Sequence, residues 1–154
     1  MRSFAIPADH VKSFMGRLLK DPILDDFHAR TVELAISVHI TIDGKVPGED
    51  KKYTPWAKLR PLVYDLVRRG TKPQMIKIVF SHAQPTGVHP NAAALFINLA
   101  YENDAITFTT ATAQREFALD KSLDAAWVEW VEGFFAKMGV PIAPYAPQYQ
   151  DDTE

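Results

Sequence analysis

The stretch "TVELAISVHITIDG", Thr31 to Gly44, carries the clearest structural signal in the chain. Its even positions, Val32, Leu34, Ile36, Val38, Ile40 and Ile42, are all apolar. Its odd positions, Thr31, Glu33, Ala35, Ser37, His39, Thr41 and Asp43, are polar or small. A period of two belongs to a β-strand with one buried face, because successive side chains point to opposite sides. The run reads as one long strand, closed by turn chemistry at Asp43–Lys45. Clean alternation in turn implies a sheet covered on one side, as antiparallel sheets commonly are.

Upstream, Met1–Ile6 reads as a short strand closed by Pro7. A helix with Asp9 as its N-cap is expected next, with Val11, Phe14, Met15, Leu18 and Leu19 on one stripe. Pro22 ends it by disfavouring helical geometry at Asp21. Downstream, 46–53 reads as an exposed loop, and Thr54 and Pro55 suit the cap and first position of a second helix. Inside a helix, Pro61 would cost roughly 3 kcal/mol. The main helix is therefore expected to begin at Pro61, after a separate turn over 54–59. Its stripe includes Leu62, Val63, Leu66 and Val67, and Gly70 stops it.

Met75–Ser81 reads as a strand with Ile76, Ile78 and Phe80 inward. Leu95, Ile97, Leu99 and Tyr101 alternate with Phe96, Asn98 and Ala100, and Asn103–Asp104 turns the chain back through Ile106 and Phe108. A last helix begins near Asp120 and carries Leu123, Trp127, Trp130, Val131, Phe134 and Met138. Val128 and Phe135 widen its apolar arc to roughly 200°, more than packing against one sheet requires. The surplus suggests a partner surface at Trp127, Val128, Trp130, Phe134 and Phe135, most simply a homodimer. The expected fold is α+β: a two-layer sandwich, with a mainly antiparallel sheet of about five strands under three helices on one face. Residues 1–140 form a single domain, and 141–154 a Pro-rich, acidic, extended tail.

Composition bounds the function. The chain has 154 residues, 47% of them hydrophobic and 23% charged, as in an ordinary globular protein. A net charge of −2 argues against a chain whose overall field draws it to nucleic acid or an anionic membrane. There are no cysteines, which excludes disulfides, thiolate nucleophiles and cysteine-bound zinc. No apolar run approaches the roughly 20 residues that span a bilayer, and the N-terminus lacks a signal peptide's apolar segment. The cytoplasm is the expected compartment.

No pattern assigns a catalytic residue, a metal or a cofactor. The five histidines show no His-Glu-x-x-His spacing, and neither a nucleophile elbow nor a phosphate-binding glycine loop is present. A metal-assisted hydrolase would have to draw on His39, Asp43, His82 and His89. A more suggestive constellation is Trp56, Arg60 and Tyr64, an aromatic–cation–aromatic ladder at helical spacing. Arginine there suits bidentate capture of an anionic ligand. With His39, Lys77 and Asn98 on the uncovered sheet face, this edge is the expected ligand surface of a non-catalytic binding or protein-interaction module. The cations between Lys58 and Lys77 offer a further alternative, nucleic-acid binding.

Several stretches resemble a bacterial family of small proteins described as a domain of unknown function. They are "VKSFMGRLL", "ITIDG", "WAKLRPLVYDLVRRGTKPQMIKIVF", "LFINLAYENDAITFTTAT" and "FALDKSLDAAWVEWV", in order over most of residues 10–135. The resemblance implies a small bacterial cytoplasmic protein and supplies no activity or site. In topology alone, a strand, a basic-faced helix and a long strand are similar to the half-domain of sliding clamps. That similarity would make the nucleic-acid alternative clamp-like.

Overall fold

The computed structural model of the chain describes residues 1–70 and 72–145. Its strands are β1 (Ser3–Ala5), β2 (His28–Ala35), β3 (His39–Asp43), β4 (Thr54–Pro55), β5 (Met75–Ser81), β6 (Ala92–Glu102), β7 (Ala105–Gln114) and β8 (Ala143–Pro144). Its helices are α1 (Val11–Lys20), α2 (Trp56–Arg68) and α3 (Ser122–Lys137). All eight strands join one antiparallel sheet, ordered β3, β2, β5, β6, β7, β1, β8, with β4 beside β2. The α+β class holds, and the strand count exceeds the five expected.

The opening stretch is not one strand but a hairpin. Thr31 pairs with Asp43, Val32 with Ile42, Leu34 with Ile40 and Ala35 with His39, around a tip at Ile36, Ser37 and Val38. Paired residues in an antiparallel ladder share a face. Even residues here pair with even ones, so the alternation passes through the turn unbroken. Gly44 is not a turn residue either. It is buried where β2 bulges, and a Cβ on it would lie 1.9 Å from the Ala29 carbonyl oxygen. Its N–H donates to the Arg30 carbonyl at 2.8 Å, and its carbonyl accepts from both the N–H and the hydroxyl of Thr54, each at 2.8 Å.

One face of the sheet is apolar. Val32, Leu34, Ile78, Phe80, Ile97 and Phe108 share a single core with Leu18 of α1, Trp56 and Val63 of α2, and Trp127, Val131 and Phe135 of α3. Burying each such side chain contributes about 1.5–3 kcal/mol. The Asn103–Asp104 hairpin forms as expected, both residues adopting positive φ.

Helix starts differ from expectation. Neither Asp9 nor Thr54 caps a helix: α1 follows a short 3-10 turn at Ala8–His10, and Thr54–Pro55 pairs with β2 instead. Helix α2 begins at Trp56 and runs through Pro61. Trp56 is 0% exposed and packs edge-on against Phe80 at 5.4 Å. Its backbone N–H donates to the Phe27 carbonyl at 2.8 Å. That anchorage sets the start, and the carbonyl freed by Pro61 belongs to Ala57, an exposed residue. At the other end, Ala143–Pro144 pairs with β1 and the Tyr145 N–H donates to the Ser3 carbonyl, so the expected tail begins as an edge strand. Residues 146–154 lie outside the described residues.

Candidate functional site

The ladder Trp56, Arg60, Tyr64 clasps α1 to α2. Trp56 Nε1 donates to the Leu18 carbonyl at 3.3 Å, and Arg60 Nη1 donates to that of Lys20 at 3.1 Å. Both acceptors belong to the last turn of α1, whose carbonyls have no partner within the helix. Arg60 also grips Asp25 through Nε–Oδ1 at 2.8 Å and Nη2–Oδ2 at 3.0 Å. The hydrogen bond to Asp25 raises the guanidinium's pKa further above its ordinary value. Tyr64 lies under the Lys20 ammonium, 5.7 Å from its ring centre. Each member therefore has an internal task, and Trp56 presents no surface to a ligand.

The basic block is similarly engaged. Arg68 and Arg69 both bond Asp65, lowering its pKa, while Lys72 pairs with Asp104 and Lys77 with Glu102. Local compensation of this kind leaves little unpaired charge to meet a phosphate backbone.

The other candidates are dispersed. His39 and Asp43 occupy the exposed edge strand β3, and Lys77 and Asn98 the open sheet face. His82 lies beyond the end of β5. His89 bonds Ser122 through Nε2 at 3.1 Å. Among the described residues, no three His, Cys, Asp or Glu side chains converge on a possible metal position.

The chain's aromatic groups converge elsewhere, on the helix side. Trp127, Trp130 and Phe134 stack in series along α3, with centroid spacings of 5.2 and 5.3 Å. Phe27 meets Trp130 and Phe134 edge-on at 5.8 and 5.3 Å, and His82 meets Trp127 and Trp130 at 5.9 and 4.8 Å. This cluster accounts for the wide apolar arc of α3. Trp127 and Phe135 face the core, so neither is available to a partner chain. Val128 is half-buried on the other flank of the helix, beside Met1 and Lys121.

Trp130 and Phe134, also half-buried, line an open groove of about 980 Å³ between α3 and the segment 82–88. Phe27 and Met138 add apolar lining, while Asp26, Glu129 and Lys137 supply charge. His82 is its most constrained polar group. The Gln84 N–H donates to Nδ1 at 3.0 Å, which requires that nitrogen to be unprotonated. Burial holds the ring below the ordinary imidazole pKa of 6.5. The neutral ring thus carries its proton on Nε2, which makes no hydrogen bond to a described residue. Sequence periodicity identified Trp130 and Phe134 but missed Phe27 and His82, which sit on connections with no period to read.

The match to known families agrees with this arrangement in extent. A family model, described as a family of unknown function (DUF5721), matches residues 17–142. The chain belongs to that family. The matched span takes in the last turn of α1, all of α2 and α3, and every residue of the groove. No curated protein and no solved structure matches the chain. No helix among the described residues is long and apolar enough to cross a membrane.

Proposed function

We propose that the chain is a binding module whose groove takes an apolar or aromatic side chain from a partner polypeptide. One observation carries this reading: the Trp130–Phe134 stack, nearly parallel at 9°, stays half-buried although Trp127, Val131 and Phe135 of the same helix are fully buried. Aromatic and methionine side chains at the centre of a patch, with charges at its margin, form the usual anatomy of a protein interface. The groove is open, which suits a side chain borne on a chain better than a small molecule that must be enclosed. Charges of both signs beside it, from Asp26, Glu129 and Lys137, suit the flanks of a peptide. The His82 Nε2–H offers that peptide one hydrogen-bond donor.

Selection from a random peptide library on the full-length chain tests the reading. Enriched peptides should carry a shared aromatic or large apolar residue. Trp130→Ala should weaken them by at least about 2 kcal/mol, the range of an interface hot spot. Val128→Ala, on the opposite flank, should leave them unchanged. Sequences without an apolar consensus, or binding indifferent to Trp130→Ala, would refute it.

A further inference from the structure

The open face of the sheet carries a second arrangement, centred on Arg30. In β2 the pairing with β5 runs His28 to Ser81 and Ala29 to Phe80, then resumes with Thr31 to Val79. Arg30 is the extra residue of that β-bulge, a device that re-aims a side chain. Its guanidinium carbon lies 4.1 Å from the ring centre of Tyr53 and 4.8 Å from that of Phe96. Its Nε donates to Ser81 Oγ at 3.2 Å, and Ser81 itself is only 2% exposed. Tyr53 is fixed in turn by its bridge to Lys45. Two rings and a buried hydroxyl thus hold the group in one orientation.

What the group lacks is a carboxylate. Arg60 has Asp25, and Arg68 and Arg69 share Asp65, but Nη1 and Nη2 of Arg30 have no hydrogen-bond or ion-pair partner among the described residues. Arginine stays charged at any physiological pH, and holding an uncompensated charge half-buried is costly. Cation–π contact with two rings offsets part of that cost and leaves the outer edge of the fork free. The field is felt locally: burial, and then the charge of Arg30, lower the pKa of His28.

We propose that Arg30 is an oxyanion site, in which Nη1 and Nη2 take two oxygens of a carboxylate or phosphate end-on. The site lies on the sheet face remote from the helices, independent of the aromatic groove, and selects for charge and fork geometry rather than apolar shape.

The Arg30 Nε–H, held by Ser81, provides a side-chain nitrogen signal for NMR. The full-length protein is titrated with inorganic phosphate, with acetate and, at matched ionic strength, with chloride. Saturable shifts at Arg30 Nε and at the amides of Tyr53 and Phe96, absent with chloride, are expected. Saturation by phosphate alone marks a phosphate-bearing ligand, by acetate alone a carboxylate, and by both a general oxyanion site. Arg30→Lys keeps the charge but loses the fork, and should weaken binding about tenfold or more, whereas Arg69→Lys should not. Shifts that never saturate, or that chloride reproduces, would overturn the proposal from the parent protein alone. So would a folded Arg30→Lys variant that binds as tightly as the parent.

Discussion

Gly44 shows how one residue's size can organise a site. Its backbone is conformationally ordinary, so its role is steric: the Ala29 carbonyl oxygen occupies the space where a Cβ would stand. Gly44→Ala must push apart the β2 bulge and the segment that carries Gly44. Overpacking against rigid backbone costs roughly 1–3 kcal/mol, and here the upper end is expected, because a peptide group cannot swing away as a side chain can. Urea unfolding should show the loss as a lower midpoint with an unchanged slope. A midpoint equal to the parent's would mean that the close approach is absent in solution. The same contact aligns Arg30, so its side-chain signals should move in this variant too. The glycine was visible in the sequence, but its reason was not. "DGK" reads as a turn because turn propensity is local, whereas the clash that excludes a Cβ comes from a residue fifteen positions earlier in the chain.

At the scale of elements, periodicity told which residues face the core, Val38 and Leu62 excepted, which are exposed, and failed on where strands end. Val32 to Ile42 alternates without a break because the hairpin tip preserves parity, and Ile36, Ser37 and Val38 lack the glycine, asparagine or proline that usually announces a turn. One strand on paper became two, and short edge strands such as Thr54–Pro55 and Ala143–Pro144 carry too few residues to show any period. The candidate site was half legible for a related reason. Trp130 and Phe134 lie on a helix, where spacing reveals a face, but their wall is built by Phe27 and His82 from connecting segments. Arg60 was legible as a fork but its partner Asp25 was not, because the two are brought together only by the packing of α1 on α2. The hairpin itself is testable. Two glycines inserted between Ser37 and Val38 lengthen an exposed tip, which should cost less than about 1 kcal/mol in loop entropy. In a continuous strand the same insertion would shift every later pairing by two positions and break the ladder. Cooperative unfolding near the parent midpoint supports the hairpin, and loss of the folded state rules it out.

The molecule as a whole is two-sided: an apolar sheet face under three helices, and a polar one left open. His28 and His82 sit near the junction of these environments, and burial holds both below the ordinary imidazole pKa of 6.5. In the unfolded chain each would titrate near that ordinary value. As pH falls from 7.5, the unfolded chain takes up these protons before the folded one does, so stability must fall with pH. The loss begins near pH 6.5 and levels off once pH drops below the folded-state values. Asp65, Asp104 and Asp120 are all held below the ordinary aspartate value, so their contributions are lost only under more acidic conditions. Between pH 7.5 and 5.5 the histidines therefore dominate, and the melting temperature should decline on acidification. His82→Phe preserves a ring against Trp127 and Trp130 while removing one proton site, so its decline over the same interval should be shallower than the parent's. A melting temperature that is flat or rises between pH 7.5 and 5.5 would mean that these rings meet water freely. The aromatic packing around His82 would then be looser than described, and the groove would lose its fixed hydrogen-bond donor.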